Sequence, residues 1–399
     1  MKSSDREFDI ILLGATGFTG RRAAKYLKNH SSPALNWAIA GRNIYKLKEL
    51  AKELDIPSEK CFQVNTLEKT ETDQISTKTR IILTTVGPYS LYGEQIIASC
   101  AEHGTHYLDI TGEVGFIKQM ADKYGELAKK NKSILVPFSG FDSVPAELCV
   151  LLLSKRFTSD DEVYIKSYYS LKGGLNGGTI ATMMNKFETG EYKMMGNPRL
   201  AMDSPNQELA EATDRNFFGF DTTINRWSTP FIMSSINSKV VYRTSDIMLR
   251  MKTPYFKKIA YSEHASLGKW YNPIPFLSTL FILILIQSLG PFSWFRKLLL
   301  LFAPAPGEGP SENSIENGYF KVQSFANSKS GKKEKLTCSF SGDPSNKATV
   351  FFLCESALTL VEQLDSFTNA PKTFGFLTPA TAFGDILVER LKTNGYMIN

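Results

Sequence analysis

Seven residues, Gly14, Ala15, Thr16, Gly17, Phe18, Thr19 and Gly20, carry the strongest chemical signal in this sequence. They follow an apolar run at 8–13 with strand character and precede a helix-compatible stretch at 21–30. A strand delivered through a tight turn into a helix leaves the first helical amides free, and such amides cradle a phosphate. Gly14 permits the sharp turn, Gly17 lets backbone approach a pyrophosphate, and Gly20 lets the helix pack closely on the strand. The spacing is G-x-x-G-x-x-G rather than the stricter G-x-G-x-x-G, so the flanking strand and helix supply the necessary context. The next strand-like segment ends in Gly41, Arg42 and Asn43, with no carboxylate before Glu49. An acidic residue there would accept from a ribose 2′-hydroxyl, whereas a guanidinium suits a 2′-phosphate. The pattern predicts NADP(H) rather than NAD(H), with Arg42 and Asn43 among its binding residues.

Two more strand ends offer groups to the same crevice. An apolar run at 80–85 is followed by Val86, Gly87, Pro88 and Tyr89, which places Gly87 and Pro88 beside the nicotinamide half of a dinucleotide. The strand at 106–109 leads into Ile110, Thr111, Gly112 and Glu113, so two carboxylates four residues apart sit at one strand end. Tyr89, Asp109 and Glu113 are the candidate catalytic residues, suited to donate or accept the proton that accompanies hydride transfer. For the two carboxylates, capping the following helix reads equally well. Asp142 or Ser143 can cap a further helix whose first turn holds Pro145, an architectural reading that marks the exit from the first domain. His103 and His106 form the one close histidine pair and lack a third ligand. They read as a helix end and a strand start, and no metal site is predicted.

These residues need a frame that brings strand ends together. Strand-like runs at 8–13, 36–40, 61–64, 80–85, 106–109 and 133–136 alternate with helical stretches, clearest at 45–54, 94–102 and 116–130. Such alternation predicts an α/β fold with a Rossmann doubly wound parallel sheet. From residue 162 the pattern changes. A strand at 163–170 precedes four glycines within 173–178, which suit a loop closing over a ligand, then a helix through 183–187. Residues 195–235 read as an irregular excursion. A β-hairpin at 318–325 and 335–341, then helices at 348–364 and 380–391, complete the chain. The predicted domains are an NADP-binding Rossmann domain (1–145), an α+β substrate domain with a mainly antiparallel sheet (146–350), and C-terminal helices (351–399).

With 399 residues, 42% hydrophobic and 22% charged, the chain has the make-up of an ordinary globular protein of one to three domains. Its five scattered cysteines include no C-x-x-C pair, which predicts reduced thiols on the cytoplasmic side and argues against a structural zinc. The opening residues are too polar and acidic for a signal or transit peptide. The net charge of +6 is matched by residues 241–300 alone, where eight basic residues accompany two acidic ones. No recognised module accompanies that charge, so nucleic acid is not a predicted partner. Inside the same stretch, residues 276–302 form two apolar blocks divided by Gly290 and Pro291. The first would make roughly 22 Å of helix, short of the ~30 Å hydrocarbon core. Two short helices dipping into one leaflet, with Trp294, Arg296 and Lys297 at the interface, fit the positive flanks. A lid over an acyl-binding cleft and a buried homodimer surface are the other readings of this insert.

Taken in order, Gly14 to Gly20, Ala40 to Arg42, Val86 to Tyr89, Tyr107 to Glu113 and Gly140 to Pro145 resemble the saccharopine dehydrogenase-like oxidoreductases. So do Gly177 to Thr179, Gly309 to Glu312, Asn317 to Phe320, Leu377 to Ala380 and Phe383 to Asp385. Within that family the chain resembles the bacterial trans-acting enoyl reductases of lipid synthesis, relatives with an assigned chemistry. The resemblance implies a Rossmann domain, a second α/β domain, and C-terminal helices returning to the first. It also implies nicotinamide-dependent reduction and, for some members, association with lipid droplets or membranes. No lysine, arginine and histidine set like that of the amino-acid-forming relatives is recognised. The leading expectation is an NADP(H)-dependent oxidoreductase reducing a hydrophobic or lipid-linked enoyl or acyl substrate in lipid or glycolipid metabolism. The alternatives are a non-enzymatic lipid-surface protein with a vestigial nucleotide fold, and an imine reductase of the saccharopine type.

Overall fold

Helices on both faces of a sheet demand strands that are buried on both sides, and five of the first six strands meet that demand, the exception being the half-exposed Cys61–Gln63 at the sheet's edge. The computed structural model describes residues 6–204, 208–209, 218–305, 307–368 and 374–399. It places β1 (Phe8–Leu13), β2 (Trp37–Gly41), β3 (Cys61–Gln63), β4 (Thr79–Thr84), β5 (His106–Leu108) and β6 (Ile134–Val136) in one parallel sheet, ordered β3-β2-β1-β4-β5-β6. Each strand falls within one residue of the sequence expectation. Between them run α1 (Phe18–His30), α2 (Ile44–Glu53), α3 (Lys69–Lys78), the single turn α4 (Tyr89–Tyr92), α5 (Glu94–His103), α6 (Val114–Lys130) and α7 (Val144–Ser154). Gly104, at φ +69°, ends α5 in the left-handed conformation and lets the chain turn into β5.

The second sheet grows from β7 (Glu162–Lys172). There follow α8 (Gly177–Glu188), β8 (Gly219–Asp221), β9 (Arg226–Pro230), α9 (Ser234–Arg250) and β10 (Lys258–Lys269). Next come α10 (Ile274–Leu289), α11 (Ser293–Phe302), α12 (Glu312–Glu316) and the hairpin of β11 (Tyr319–Ser328) with β12 (Lys333–Ser341). After α13 (Thr349–Glu362) and α14 (Leu364–Thr368), β13 (Gly375–Phe376) adds a seventh parallel strand beside β6. Then α15 (Pro379–Thr393) leads to β14 (Met397–Ile398), which edges the second sheet. That sheet is ordered β14-β12-β11-β7-β10-β9-β8 and is antiparallel at every step except β7 with β10. Along β11, Phe320, Val322, Ser324 and Ala326 are buried while Tyr319 and Lys321 are exposed, the two-residue period of a sheet with one covered face.

Helix α13 is a wall shared by both sheets. Phe351 lies against Tyr26 of α1, ring centres 6.3 Å apart, and against Phe340 of β12 at 4.6 Å. Phe352 meets Phe320 of β11 at 6.2 Å. Buried on almost every side, α13 needs no polar face, and apolar residues run unbroken from Val350 to Cys354.

The excursion expected over 195–235 is only partly irregular. Residues 205–207 and 210–217 lie outside the described part, but Gly219–Asp221 pairs with Arg226–Pro230 as a hairpin. Helix α9 and strand β10 went unassigned from sequence because α9 carries Lys239, Arg243 and Asp246 among its buried residues, which blurs the amphipathic period. The basic excess of 241–300 is not a single surface either. Arg243 is buried and donates to the carbonyls of Ala201 and Phe376 while pairing with Asp203.

The apolar insert divides at Gly290 as expected, into α10 and α11. Phe276 stacks on Trp227 of β9 at 5.0 Å and Phe295 is buried, yet Phe281, Trp294, Leu301 and Phe302 are exposed, the last at 84%. No helix among the described residues is long and apolar enough to cross a membrane.

Candidate active site

Gly14 has φ +84°, and a Cβ there would stand 2.7 Å from the Val86 side chain, so the position admits only glycine. Gly17 is the open one of the three. It is the N-cap of α1 without a side-chain cap, and an added Cβ would meet only the Gly14 carbonyl oxygen, at 3.3 Å. The first-turn amides of α1 have no intrahelical partners, and that turn holds no acidic side chain. These features fit a diphosphate. Ala15 is buried; Thr16, Phe18 and Thr19 are half-buried around the turn. A Cβ on Gly41 would lie 3.7 Å from the Thr16 hydroxyl, so the end of β2 adjoins the cradle. There Arg42 is exposed, its guanidinium 5.8 Å from the centre of the Tyr92 ring. Asn43 accepts from the Lys46 amide at 3.1 Å and so serves as N-cap of α2. Phe18 is gripped from two sides, by the Arg22 guanidinium 3.8 Å over its ring and by the backbone at Gly309.

Gly87 and Pro88, joined by a cis peptide bond, carry the chain from β4 into α4. Both oxygens of Glu113 accept from that turn, Oε1 from the Tyr89 amide at 2.7 Å and Oε2 from the Ser90 amide at 3.0 Å. Asp109 Oδ1 accepts from the amides of Thr111 at 3.0 Å and Phe138 at 3.1 Å, and Oδ2 accepts the Tyr107 hydroxyl at 2.6 Å. Burial pushes the Asp109 carboxyl up to about 7, against the pull of those hydrogen bonds. The Tyr89 hydroxyl donates to the Thr84 carbonyl at 3.2 Å and accepts from the Ile110 amide at 3.4 Å. Burial, reinforced by Asp109, pushes that phenol well above its ordinary value. The structure thus brings Tyr89, Asp109 and Glu113 together and commits their polar atoms to the loops that follow β4, β5 and β6.

A second polar group faces those loops from the helices of the other sheet. Lys186 of α8 donates to the Gly112 carbonyl at 2.7 Å, and the preceding Asn185 donates to the Ser90 hydroxyl at 3.1 Å. Ile236 of α9 packs on Gly112, where a Cβ would fall 3.1 Å from its Cδ1. One turn on, Lys239 is 2% exposed and donates to the Ser235 carbonyl at 2.6 Å. Burial first, then the Lys186 charge, push the Lys239 ammonium down to about 8. Asp142, just after β6, is pushed up to about 6 by burial, with Lys186 pulling the other way. Behind it, Asn237 donates to Glu263, which also accepts from the hydroxyls of Tyr169 and Tyr261 and is raised by burial to about 7.

Neither lysine belongs to a motif, so sequence reasoning passed over both. The available signal was Lys239 itself, a lysine set among Ile236, Val240 and Val241. Asp142 was legible only as a helix cap, although Ser143 holds the N-cap position of α7. Of the two histidines, His103 ends α5 beside Asp73 at 3.0 Å, and His106 opens β5 with Nδ1 accepting the Ile134 amide at 3.0 Å. Asp73, Glu102 and His103 come within 4.8 Å of one another, and Lys69 pairs with both carboxylates.

Comparison with known proteins agrees with this geometry. Residues 10–136 match the saccharopine dehydrogenase NADP binding domain. A Mycobacterium tuberculosis protein provisionally named a trans-acting enoyl reductase is 31% identical, the alignment covering 99% of this chain and 98% of that protein. The trans-acting enoyl reductase of Mycobacterium ulcerans is 30% identical over 100% and 99%. Saccharopine dehydrogenase (L-Glu forming) of Saccharomyces cerevisiae shares the fold, with a TM-score of 0.54 at 13% identity over 98% of this chain and 99% of its own. The glycine cradle, the two-sheet frame and a likeness running from end to end place this chain in the saccharopine dehydrogenase-like family, as an NADP(H)-dependent oxidoreductase.

Proposed function

We propose that this oxidoreductase reduces the carbon–carbon double bond of a hydrophobic, lipid-linked α,β-unsaturated acyl thioester. The observation that carries the reading is the full-length similarity to proteins named trans-acting enoyl reductases. When bound, NADPH supplies the hydride. In this reading the backbone from Gly14 through Ala15, Thr16, Gly17, Phe18 and Thr19 to Gly20 holds its diphosphate. Arg42 meets the 2′-phosphate, and Asn43 fixes the turn that presents Arg42. Gly87 and Pro88 line the nicotinamide side. Tyr89, Asp109 and Glu113 serve the reaction by fixing the loops around it, since their oxygens already accept from or donate to backbone there.

A lipid setting draws support from the exposed apolar side chains of α10 and α11. Arg296, donating to the Gly290 and Pro291 carbonyls at 3.1 and 2.8 Å, puts positive charge at the break between these helices. In this reading the helix pair rests on an anionic lipid surface.

The experiment is a fluorescence titration with NADPH and NADH, followed by NADPH oxidation with a trans-2-dodecenoyl thioester or with a keto acid plus an amine. The expected result is tighter NADPH binding and turnover with the thioester alone. Turnover only with the keto acid and amine would replace this reading with imine reduction.

A further inference from the structure

Helices α8 and α9 each bring a lysine to the loop that follows β5. Lys186 reaches across from α8 to the Gly112 carbonyl at 2.7 Å, and Ile236 and Lys239 lie one turn apart on α9, with Ile236 against the same Gly112. Lys239 is almost fully buried, and that burial, with the Lys186 charge adding to it, depresses its ammonium. The carboxyl that couples to Lys186 is Asp142, itself driven toward the neutral form by burial. Lys186 and the Ile236–Lys239 turn of α9 border the crevice outside the strand ends, where an open parallel sheet binds its ligand. That border is built by residues from both sheets, so only the closed two-sheet frame assembles it.

We propose that Lys186 and Lys239 form an oxyanion site for an acyl substrate, taking the carbonyl oxygen conjugated to the double bond that is reduced. This assignment rests on the enoyl reading above. Hydride addition at the β-carbon forms a C–H bond and moves the π pair toward that oxygen, giving an enolate. Charge develops on the oxygen, where fixed cationic donors in a water-poor site stabilise it most. Collapse of the enolate with uptake of one proton from water at the α-carbon completes the saturated thioester, and the oxygen returns to a carbonyl. Electrons balance: the substrate gains a hydride and a proton, and the nicotinamide loses the hydride.

Because a carboxylate resembles the charge of the enolate oxygen, the site can be read without turnover. The full chain loaded with NADPH is titrated with dodecanoate and with dodecanol at constant ionic strength. The parent protein is expected to prefer the carboxylate about tenfold or more. Lys186→Met with Lys239→Met should abolish that preference while leaving melting temperature and NADPH affinity within threefold or a few degrees of the parent, as an order-of-magnitude allowance. If the double variant does not fold, the half-buried Lys186 is read alone as Lys186→Gln, with a loss of at least about threefold expected. An unchanged preference in the folded variant, or none in the parent, overturns the assignment. NADPH oxidation with trans-2-dodecenoyl thioester is run in parallel. Its absence in the parent removes the enoyl reading, while the carboxylate titration still decides the lysine site.

Discussion

Gly20 stacks on Gly14 so closely that a Cβ on Gly20 would stand 2.0 Å from the Gly14 carbonyl oxygen. Both partners are backbone, fixed by β1 and by the first turn of α1, so neither can step aside. Gly20→Ala should therefore cost about 3 kcal/mol and leave the first sheet unfolded or the protein insoluble. Gly17→Ala adds its Cβ at 3.3 Å from the same oxygen, a tolerable approach. That variant should melt near the parent and, on the proposed role of Gly17 in letting backbone approach the diphosphate, lose NADPH affinity about tenfold or more. Thermal melting combined with NADPH titration separates the two outcomes.

Arg42 sits exposed at the end of β2, beside the cradle. A charge-assisted contact to a 2′-phosphate contributes about 1.5–3 kcal/mol. Arg42→Ala should weaken NADPH roughly tenfold to a hundredfold and leave NADH nearly unchanged. Equal losses for the two nucleotides would remove the 2′-phosphate role.

Glu113 accepts from two consecutive amides, those of Tyr89 and Ser90. Glu113→Gln keeps one acceptor and points an N–H at the other amide. Expected are a loss of about 1–3 kcal/mol in stability and weaker NADPH binding, since the Gly87–Pro88 turn loses its anchor. Chemical denaturation with and without NADPH measures both. A variant as stable as the parent would show that the anchor is dispensable.

His106 is buried at the start of β5, and burial, then Arg80 and Arg6, push it down to about 3. The unfolded chain takes up this proton near pH 6.5 and the folded one does not. Stability from this group is therefore present above pH 6.5 and is lost as pH falls toward 3. By pH 5 the loss is about 2 kcal/mol. His106→Asn keeps an acceptor for the Ile134 amide and removes the titration. Its melting temperature should fall less between pH 7 and pH 5 than the parent's. Asp109, Glu147 and Glu263, each raised to about 7 by burial, act in the opposite sense, with stability lost as pH rises through that value. Comparing variant with parent isolates the histidine; identical pH dependence would acquit it.

Leu301 and Phe302 are 79% and 84% exposed at the end of α11. Leu301→Asp with Phe302→Asp should leave melting unchanged, since surface substitutions rarely cost more than about 0.5 kcal/mol. Flotation with anionic vesicles should fall several-fold. An unaltered flotation, or a shift from dimer to monomer in its place, would assign these helices to self-association.

The first sheet was legible because its strands are short apolar runs punctuated by glycine and separated by helices of ordinary length. Even the bounds of β1 and β4 came out within a residue. The glycine turn was legible for the same reason: close backbone contacts between Gly14 and Gly20 exclude all other residues, so the requirement is written in the chain. The lysines of α8 and α9 were not. Lys186 and Lys239 gain meaning only from the crossing of α8 and α9 over loops about 75 to 125 positions earlier, and no local spacing encodes that meeting. Likewise Asp109 and Glu113 read as two available carboxylates, whereas folding engages them with amides of three separate loops. Pairing partners, unlike residue types, are set by topology.

Helix α8 spends three consecutive residues on three different neighbours. Asn185 holds Ser90, Lys186 holds Gly112, and the Phe187 ring presses on Gly290, where a Cβ would come within 2.6 Å of it. The greasy hairpin is consequently not an interchangeable cassette. Any graft from a relative must keep a hydrogen-only side chain at position 290, or the displaced phenyl ring will drag the neighbouring lysine off its strand-end perch.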